Sequence, residues 1–518
     1  MTNHSLKKRY AAKLAANLGG LAINLVTQAI IPRGLGPKAY GDFNFLSNFF
    51  TQLMPFFSLN TSPGFYTKLS QRQGEFGLVS FNFKFTGVSV AALFLFIGIS
   101  QYSGLSKIFW IDQSISYIYM AAIFSAIAWI TTLLTQIADA YGLTVYTEMA
   151  GIAQRFLGLI IILILFYFHK LNLTAYFIYL YVILLVLIFL IIWILGRNGY
   201  SFFQNWHLSK TQIKGYVKEF YIYSQPLFIF SFCAMIMGIL ERWLLQKYGG
   251  SIQQGFFGLS FQIGAVCFLF TSAMTPLIMR EFSIAYGKND IIEMSRLFRR
   301  YIPLLYSVAA FFGCFACVQA EKLTHIFAGG KFAGATVPVM IMSFYPIHQT
   351  YGQLSGSLLL ATNQTKLVRN IGIFFAVLGL PLAYLMVAPT DKMGLNAGAI
   401  GLAIKFVIIQ FIAVNVQLFF VTRMLKLNFI RYLGHQIFSI ACLMTIALFS
   451  KIIINVFTGL KDLVIVGFLI SGLLYSILVM VLVYFKPIVI GFNKDDVKSF
   501  IHNSFKVMKL LLASNKKS

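Results

Sequence analysis

The 518-residue chain is 58% hydrophobic and only 11% charged, with a mean hydropathy of +0.78 and a net charge of +26. A soluble domain averages about 25% charged residues, so this composition excludes a soluble globular protein and indicates a polytopic membrane protein. The cations fall mostly in short segments between apolar runs, so the excess charge reads as membrane topology, and no nucleic-acid partner is expected.

The N-terminal basic run Lys7-Lys8-Arg9 leads into an apolar helix with no small-residue cleavage site after it, so a retained helix is expected rather than a signal peptide. This first helix carries a thin polar stripe. At 100° per residue, Lys13, Asn17, Asn24 and Gln28 lie within about 60° of one another. Unpaired amides are costly in hydrocarbon, so the stripe is expected to line something polar. Pro32 is predicted to end the helix, with a glycine-rich turn over Arg33–Pro37 and a second apolar segment from about Tyr40. That second helix aligns Asn44, Asn48 and Gln52. The fourth aligns Ser125, Thr132, Gln136 and Asp139; the seventh aligns Ser224, Ser231, Met235, Arg242 and Gln246. The eighth carries Gln262, and the tenth is the most polar, with His348, Gln349 and Gln353 within Tyr345–Gln353.

Runs of about 20 apolar residues occur fourteen times. An even number places both termini on one side. Of the 41 Lys and Arg, 29 fall in the segments on the side of the termini, 11 fall on the opposite side, and Lys405 lies inside a helix. The basic side is cytoplasmic, so both termini are expected inside, in the cytoplasmic membrane. Loops are short and leave no room for an extramembrane catalytic domain. The five cysteines all lie in apolar runs and read as small packing residues.

A shift of 214 residues brings parts of the chain into register. Gly36-x4-Gly41-x-Phe43 falls on Gly250-x4-Gly255-x-Phe257, Asn17 on Ser231, Gln28 on Arg242 and Asn48 on Gln262. Six helices separate the copies, so the two share one orientation. The expected fold is all-α: fourteen transmembrane helices, with two pseudo-symmetric six-helix lobes around a central cavity. Residues 1–200 form the N-lobe, 201–217 a cytoplasmic linker and 218–425 the C-lobe. Two further helices occupy 426–485, and 486–518 make a basic amphipathic tail suited to anionic lipid. Helices 1, 2, 4, 7, 8 and 10 are expected to wall the cavity, and helices 3, 5, 6, 9, 13 and 14 to face lipid.

Lys405 lies deep in the twelfth helix with no acid within a turn or two of it, and a mid-membrane lysine costs about 2.5–3.5 kcal/mol. It is read as an anion-binding group, with Arg242 and Arg33 as further cavity cations. Of fifteen Asp and Glu, only Asp139, Glu148 and Glu241 lie near helices. Asp139, Glu241 and His348 are the candidates for ion coupling. A neutral-to-positive interior suits an anionic substrate. It disfavours a cation-coupled drug antiporter, and short outer loops disfavour a membrane polymerase or glycosyltransferase; a transporter rather than an enzyme is expected. Nothing in the chain calls for a cofactor or metal.

The run Ile31–Phe43, IPRGLGPKAYGDF, resembles the end of the first helix in polysaccharide transporters of the multidrug/oligosaccharidyl-lipid/polysaccharide (MOP) superfamily, the Wzx-type O-antigen and capsule repeat-unit flippases. Glu241-Arg242, Tyr248-Gly249 and Gly255-Phe256-Phe257 are similar to those proteins' Asp/Glu-Arg … Gly … Gly-x-Tyr/Phe pattern, where Asp is more common than the Glu found here. The resemblance implies a MATE-like fold in the bacterial inner membrane. It also implies translocation of an undecaprenyl-pyrophosphate-linked oligosaccharide by alternating access, for lipopolysaccharide, capsule or exopolysaccharide assembly. The partners implied are the lipid-linked oligosaccharide, membrane lipids, and polysaccharide polymerase and chain-length proteins.

Overall fold

The computed structural model describes residues 6–59, 61–72, 75–200, 208–456 and 463–491, and for residues 6–18, 21, 63, 223–224, 226–230, 269–270, 272–273 and 276–277 the backbone alone. The predicted tail helix lies outside this range. Among the described residues every regular element is helical: α1 (Leu6–Phe57), α2 (Ser62–Gln71), α3 (Phe76–Tyr102), α4 (Ser106–Phe109), α5 (Ile115–Ala140), α6 (Thr144–Tyr167), α7 (Leu173–Arg197), α8 (Lys210–Val266), α9 (Leu269–Gly287), α10 (Ile291–Val318), α11 (Ala320–Ala328), α12 (Thr336–Met342), α13 (Tyr345–Ala361), α14 (Thr365–Val387), α15 (Gly398–Met424), α16 (Phe429–Val456) and α17 (Val464–Phe485), with short 3-10 turns between some of them. Nine of the described helices are long and apolar enough to cross a membrane. The starts of α5, α7 and α10 are capped by Ser114, Asn172 and Asp290, whose side chains accept from the backbone three residues on.

α1 and α8 run for 52 and 57 residues. Straight, each would extend roughly 80 Å, against about 30 Å of hydrocarbon. Each is instead two legs joined at a glycine: Gly36 has φ 74 and ψ 171, and Gly250 has φ 71 and ψ −177. The two glycines are 214 positions apart, so the repeat read from the sequence has a matching backbone. The predicted stop at Pro32 is corrected. Pro32 and Pro37 both lie inside α1, and the chain breaks only at Gly36. A proline removes one helical hydrogen bond, whereas an open turn in hydrocarbon would orphan several. The segment 210–217, expected in the linker, is already helical as the first two turns of α8.

By contact the chain forms two compact units. One comprises Met1–Gly258, Phe327–Phe332 and Ala376–Leu402; the other comprises Leu259–Ile326, Ala333–Phe375 and Ala403–Ser518. In the first, α1 packs on α5 and α6, and α5 packs on α7. Its core centres on Trp110, which is 1% exposed, stacked on Phe50 at 5.8 Å and edge-on to Phe49 at 5.3 Å. A second cluster gathers Phe65, Leu78, Leu134, Ile194 and Phe220.

The second unit is built around α10, which contacts α9, α13 and α16. The ninth apolar run was expected to face lipid. It is α10, and 67% of its most apolar window is buried. Small residues allow this. Ala309, Ala310, Gly313 and Cys314 are all buried, and a Cβ on Gly313 would lie 2.6 Å from Ser343 O. Helix association in lipid rests on such close packing and on interhelical hydrogen bonds. α10 supplies acceptors as well: Tyr475 donates to Phe311 O at 3.0 Å.

Candidate functional site

The second leg of α1 and the second leg of α8 cross at a pair of glycines in the first unit. A Cβ on Gly41 would overlap Ser251 O and stand 2.8 Å from Gly255 N; a Cβ on Gly255 would overlap Pro37 O. The contacts are reciprocal, because Gly41 and Pro37 become Gly255 and Ser251 under the 214-residue shift. Only glycine permits so close an approach.

A polar network surrounds the crossing. Asp42 accepts from the Ser251 hydroxyl and from Gln113 Nε2, the latter at 2.8 Å. Gln246 Nε2 donates to Ser251 Oγ at 3.1 Å and to Ile111 O at 3.2 Å, and Trp243 Nε1 donates to Ile108 O at 2.6 Å. One turn away, Arg242 donates to Gln254 Oε1 at 3.3 Å and lies 4.2 Å from the centre of the Phe257 ring, while Gln254 Nε2 donates back to Arg242 O. The predicted Arg242 is thus held by Gln254 and the Phe257 ring. Glu241 beside it is buried, at 6% exposure.

Elsewhere in the first unit, α2 and the first leg of α8 are joined by charge. Arg72, just after α2, bonds Glu219 of α8 at 2.7 Å and Glu75 at 3.1 Å; Lys68 reaches Glu219 at 3.0 Å. The Tyr216 hydroxyl donates to Glu75 at 2.6 Å. The hydrogen bond to Glu219 raises the Arg72 guanidinium above its ordinary value, so it stays charged at any working pH.

The remaining predicted residues of the first unit divide by exposure. Arg33 and Asn24 are exposed; Gln28, Ser231 and Asp139 are half-buried. Asn48 and Gln52 are half-buried on the second leg of α1, and Gln52 packs over Gly238 of α8. Gln136 exchanges hydrogen bonds with Ser62 at 2.8 and 2.9 Å. The Asn17 side chain lies outside the described residues.

In the second unit, Lys405 is 5% exposed, about 10 Å along α15 from Gly398, with its ammonium 4.5 Å from the Phe406 ring centre. Gln262 is half-buried. Gln349 accepts from Gln410, and Gln353 accepts from Thr275 at 3.1 Å. His348 is 6% exposed and sits edge-on to Phe411 at 4.9 Å. The amides of Gln349 and Gln353 therefore bind neighbouring helices. Asp42, Gln113, Ser251, Gln254 and Gln410 escaped the site prediction. The signal for Asp42 was present: an acid directly after a kink-and-glycine motif that has to close against a second copy of itself.

No protein-family model matches the sequence, and no curated protein does. Solved structures do. The chain is similar to an inward-facing multidrug resistance MATE family transporter of the MOP superfamily (TM-score 0.63, 13% identity, 80% of this chain and 98% of that one). It is similar to the lipid II flippase MurJ in an inward closed conformation (TM-score 0.59, 14% identity, 91% and 98%). A third match is a MOP superfamily transporter from Pyrococcus furiosus, described as having reversed binding-pocket polarity (TM-score 0.53, 15% identity, 81% and 96%). The chain therefore has the fold of the MOP superfamily transporters.

Proposed function

We propose that this protein is a flippase that carries a polyprenyl-pyrophosphate-linked oligosaccharide from the cytoplasmic to the outer leaflet by alternating access. The observation that carries the reading is the charge inside the helices. Lys405 and Arg242 lie within helices of a transporter fold, and among the described residues Glu241 is the one fully buried acid. Cations inside an apolar bundle favour an anionic ligand over a cationic one. A pyrophosphate suits that charge, the amides of Gln262 and Gln353, in the same unit as Lys405, suit sugar hydroxyls, and the prenyl chain stays in lipid. The match to a lipid flippase supports this reading. It covers 91% of the chain against 80% for the multidrug transporter.

The two glycine-hinged helices supply the moving part. In the reading proposed here the crossing at Gly41 and Gly255 closes the outer side of the cavity, and its parting releases the substrate outward. The two lobes expected from the repeat would rock about it, with both termini in the cytoplasm.

The test is transfer of a fluorescent polyprenyl-pyrophosphate oligosaccharide between leaflets of proteoliposomes. Lys405→Glu should abolish transfer at normal protein level, while Lys405→Arg keeps most of it. Unchanged transfer in the Glu variant removes Lys405 from the site. A MATE-like drug antiporter is the second reading, favoured by the 0.63 TM-score to a multidrug transporter. Export of cationic drugs by the wild-type protein, with no lipid transfer, would select it.

A further inference from the structure

One small cavity involves none of the residues assigned to the transported lipid. It lies in the first unit, where α1 ends at Phe57 and α2 begins at Ser62. The chain between them is non-helical, with Leu59 at φ 51. Irregular backbone within an apolar run is tolerated where it is buried in protein or lines a cavity. Two other helices close on this break. Ser89 of α3 donates to Phe57 O at 3.2 Å, and Gln136 of α5 exchanges hydrogen bonds with Ser62. Six of the eight residues lining the cavity carry a hydroxyl or a side-chain amide. They are Ser58, Thr61 and Ser62 from the break and the start of α2, Asn82 and Thr86 from α3, and Thr132 from α5. The cavity has about 10 Å³ of space for the centre of a water-sized sphere, room for one water molecule or one bare monovalent cation.

The chemistry of the wall chooses between them. A hydroxyl has one proton and two acceptor lone pairs. Three of these protons are already committed to backbone carbonyls: Ser58 to Pro55 O at 3.1 Å, Thr61 to Ser58 O at 2.8 Å and Thr132 to Ala128 O at 3.0 Å. Those hydroxyls have only lone pairs left to offer. Asn82 and Thr86 stand one turn apart on one face of α3, 7% and 4% exposed, and neither side chain has a hydrogen-bond partner among the described residues. Buried polar groups are almost always satisfied, so these two point to a ligand. Asp139 continues the α5 face of Thr132 and Gln136, about 10 Å along the helix from Thr132, and its Oδ1 is buried with no partner among the described residues. We propose that Asn82, Thr86, Ser62 and Thr132, with the break between α1 and α2, hold one monovalent alkali cation, Na⁺ or K⁺. Asn82 Oδ1 and the hydroxyl oxygens are its ligands, as carbonyl and other neutral oxygens are for such ions elsewhere, and Asp139 supplies a counter-charge. Ca²⁺ and Mg²⁺ sites use carboxylates, and none lines this cavity. The bound ion ties the break to α3 and α5. The site shares no residue with the group proposed to hold the transported pyrophosphate, so the two assignments stand or fall separately.

The experiment uses the purified full-length protein in detergent. Its thermal unfolding midpoint is followed as NaCl or KCl replaces choline chloride at constant ionic strength. A ligand that binds only the folded state raises the midpoint. A saturable rise with Na⁺, with K⁺ or with both identifies the ion. Thr86→Val keeps the shape of the side chain and removes one ligand, so the cation concentration for half the effect should rise at least tenfold. Asn82→Asp places a charge beside the ion and should lower that concentration at least tenfold. In choline alone, Thr86→Val should leave the midpoint unchanged or higher, because it removes a buried hydroxyl without a partner; a merely structural hydroxyl would lower it. The assignment is overturned if the wild-type midpoints coincide in all three salts, which leaves a lone water in the cavity, or if either folded variant titrates as the wild type does.

Discussion

Replacing Gly41 with alanine puts one methyl group where Ser251 O already lies, and replacing Gly255 puts one on Pro37 O. Backbone oxygens cannot turn aside as a flexible side chain can, so the two legs must move apart. Forcing a methyl into a packed contact costs about 1–3 kcal/mol. The separation also stretches the bond from Ser251 to Asp42, and a hydrogen bond to a charged group contributes about 1.5–3 kcal/mol. Either variant should therefore weaken the closed crossing by about 2–4 kcal/mol, combining these two contributions with partial relaxation. At about 1.4 kcal/mol per factor of ten, the closed population falls some thirtyfold to a thousandfold. The decisive measurement is a double-mutant cycle of equilibrium unfolding in mixed micelles. One displacement relieves both clashes, so the second alanine should add less than about 1 kcal/mol to the first. Gly98→Ala on α3 is the control, since nothing lies within 4 Å of its added Cβ; it should be neutral or stabilising by up to about 1 kcal/mol. The reasoning fails if Gly41→Ala and Gly255→Ala behave like Gly98→Ala, or if their effects add in full.

Asp42→Ala leaves the Ser251 hydroxyl and the Gln113 amide without their acceptor and should cost about 1–3 kcal/mol in the same unfolding assay; Gln113→Ala made in that background should then cost almost nothing, and a full independent loss would contradict the shared bond. Arg72→Gln removes contacts to Glu219 and Glu75 that are 27–39% exposed on their side chains, so about 1 kcal/mol at low salt is expected. That deficit should shrink steadily toward 1 M salt; a salt-independent deficit would assign Arg72 a packing role instead.

The register of the glycines was legible from sequence because a backbone with positive φ admits few residues other than glycine. Two copies of one kink therefore had to show as two glycines at one spacing. An amide in hydrocarbon needs a partner, and Gln136, Gln349 and Gln353 find theirs on other helices, which the stripe on a single helix does not reveal. The surroundings of α10 were not legible. Lipid and protein interior are both apolar, so Ala309-Ala310 and Cys314 read alike whether they meet acyl chains or α13 and α16. Ser251 was missed because a lone serine after two glycines carries no pattern of its own; its role exists only once Asp42 lies against it. Pro32 misled because the rule that proline ends a helix is drawn from water, where a broken end finds other partners.

The crossing has a symmetric skeleton and an asymmetric chemistry. Gly36 and Gly250 share a backbone conformation and Gly41 and Gly255 share a contact, yet the position of Asp42 is occupied by Phe256 in the other copy, and that of Ser251 by Pro37. The acid and the hydroxyl that meet are thus drawn from unlike positions, and their mirror pair is a phenylalanine and a proline that exchange no hydrogen bond of this kind. Mechanically this is a bolt fitted to one side of a two-leaved door. If the legs part as proposed above, the unbolted side would yield first, so the parting would begin as a tilt rather than a straight separation. In the proposed cycle this would fix which edge of the crossing opens first, while the net direction would still be set by the free energies of the cargo on the two sides.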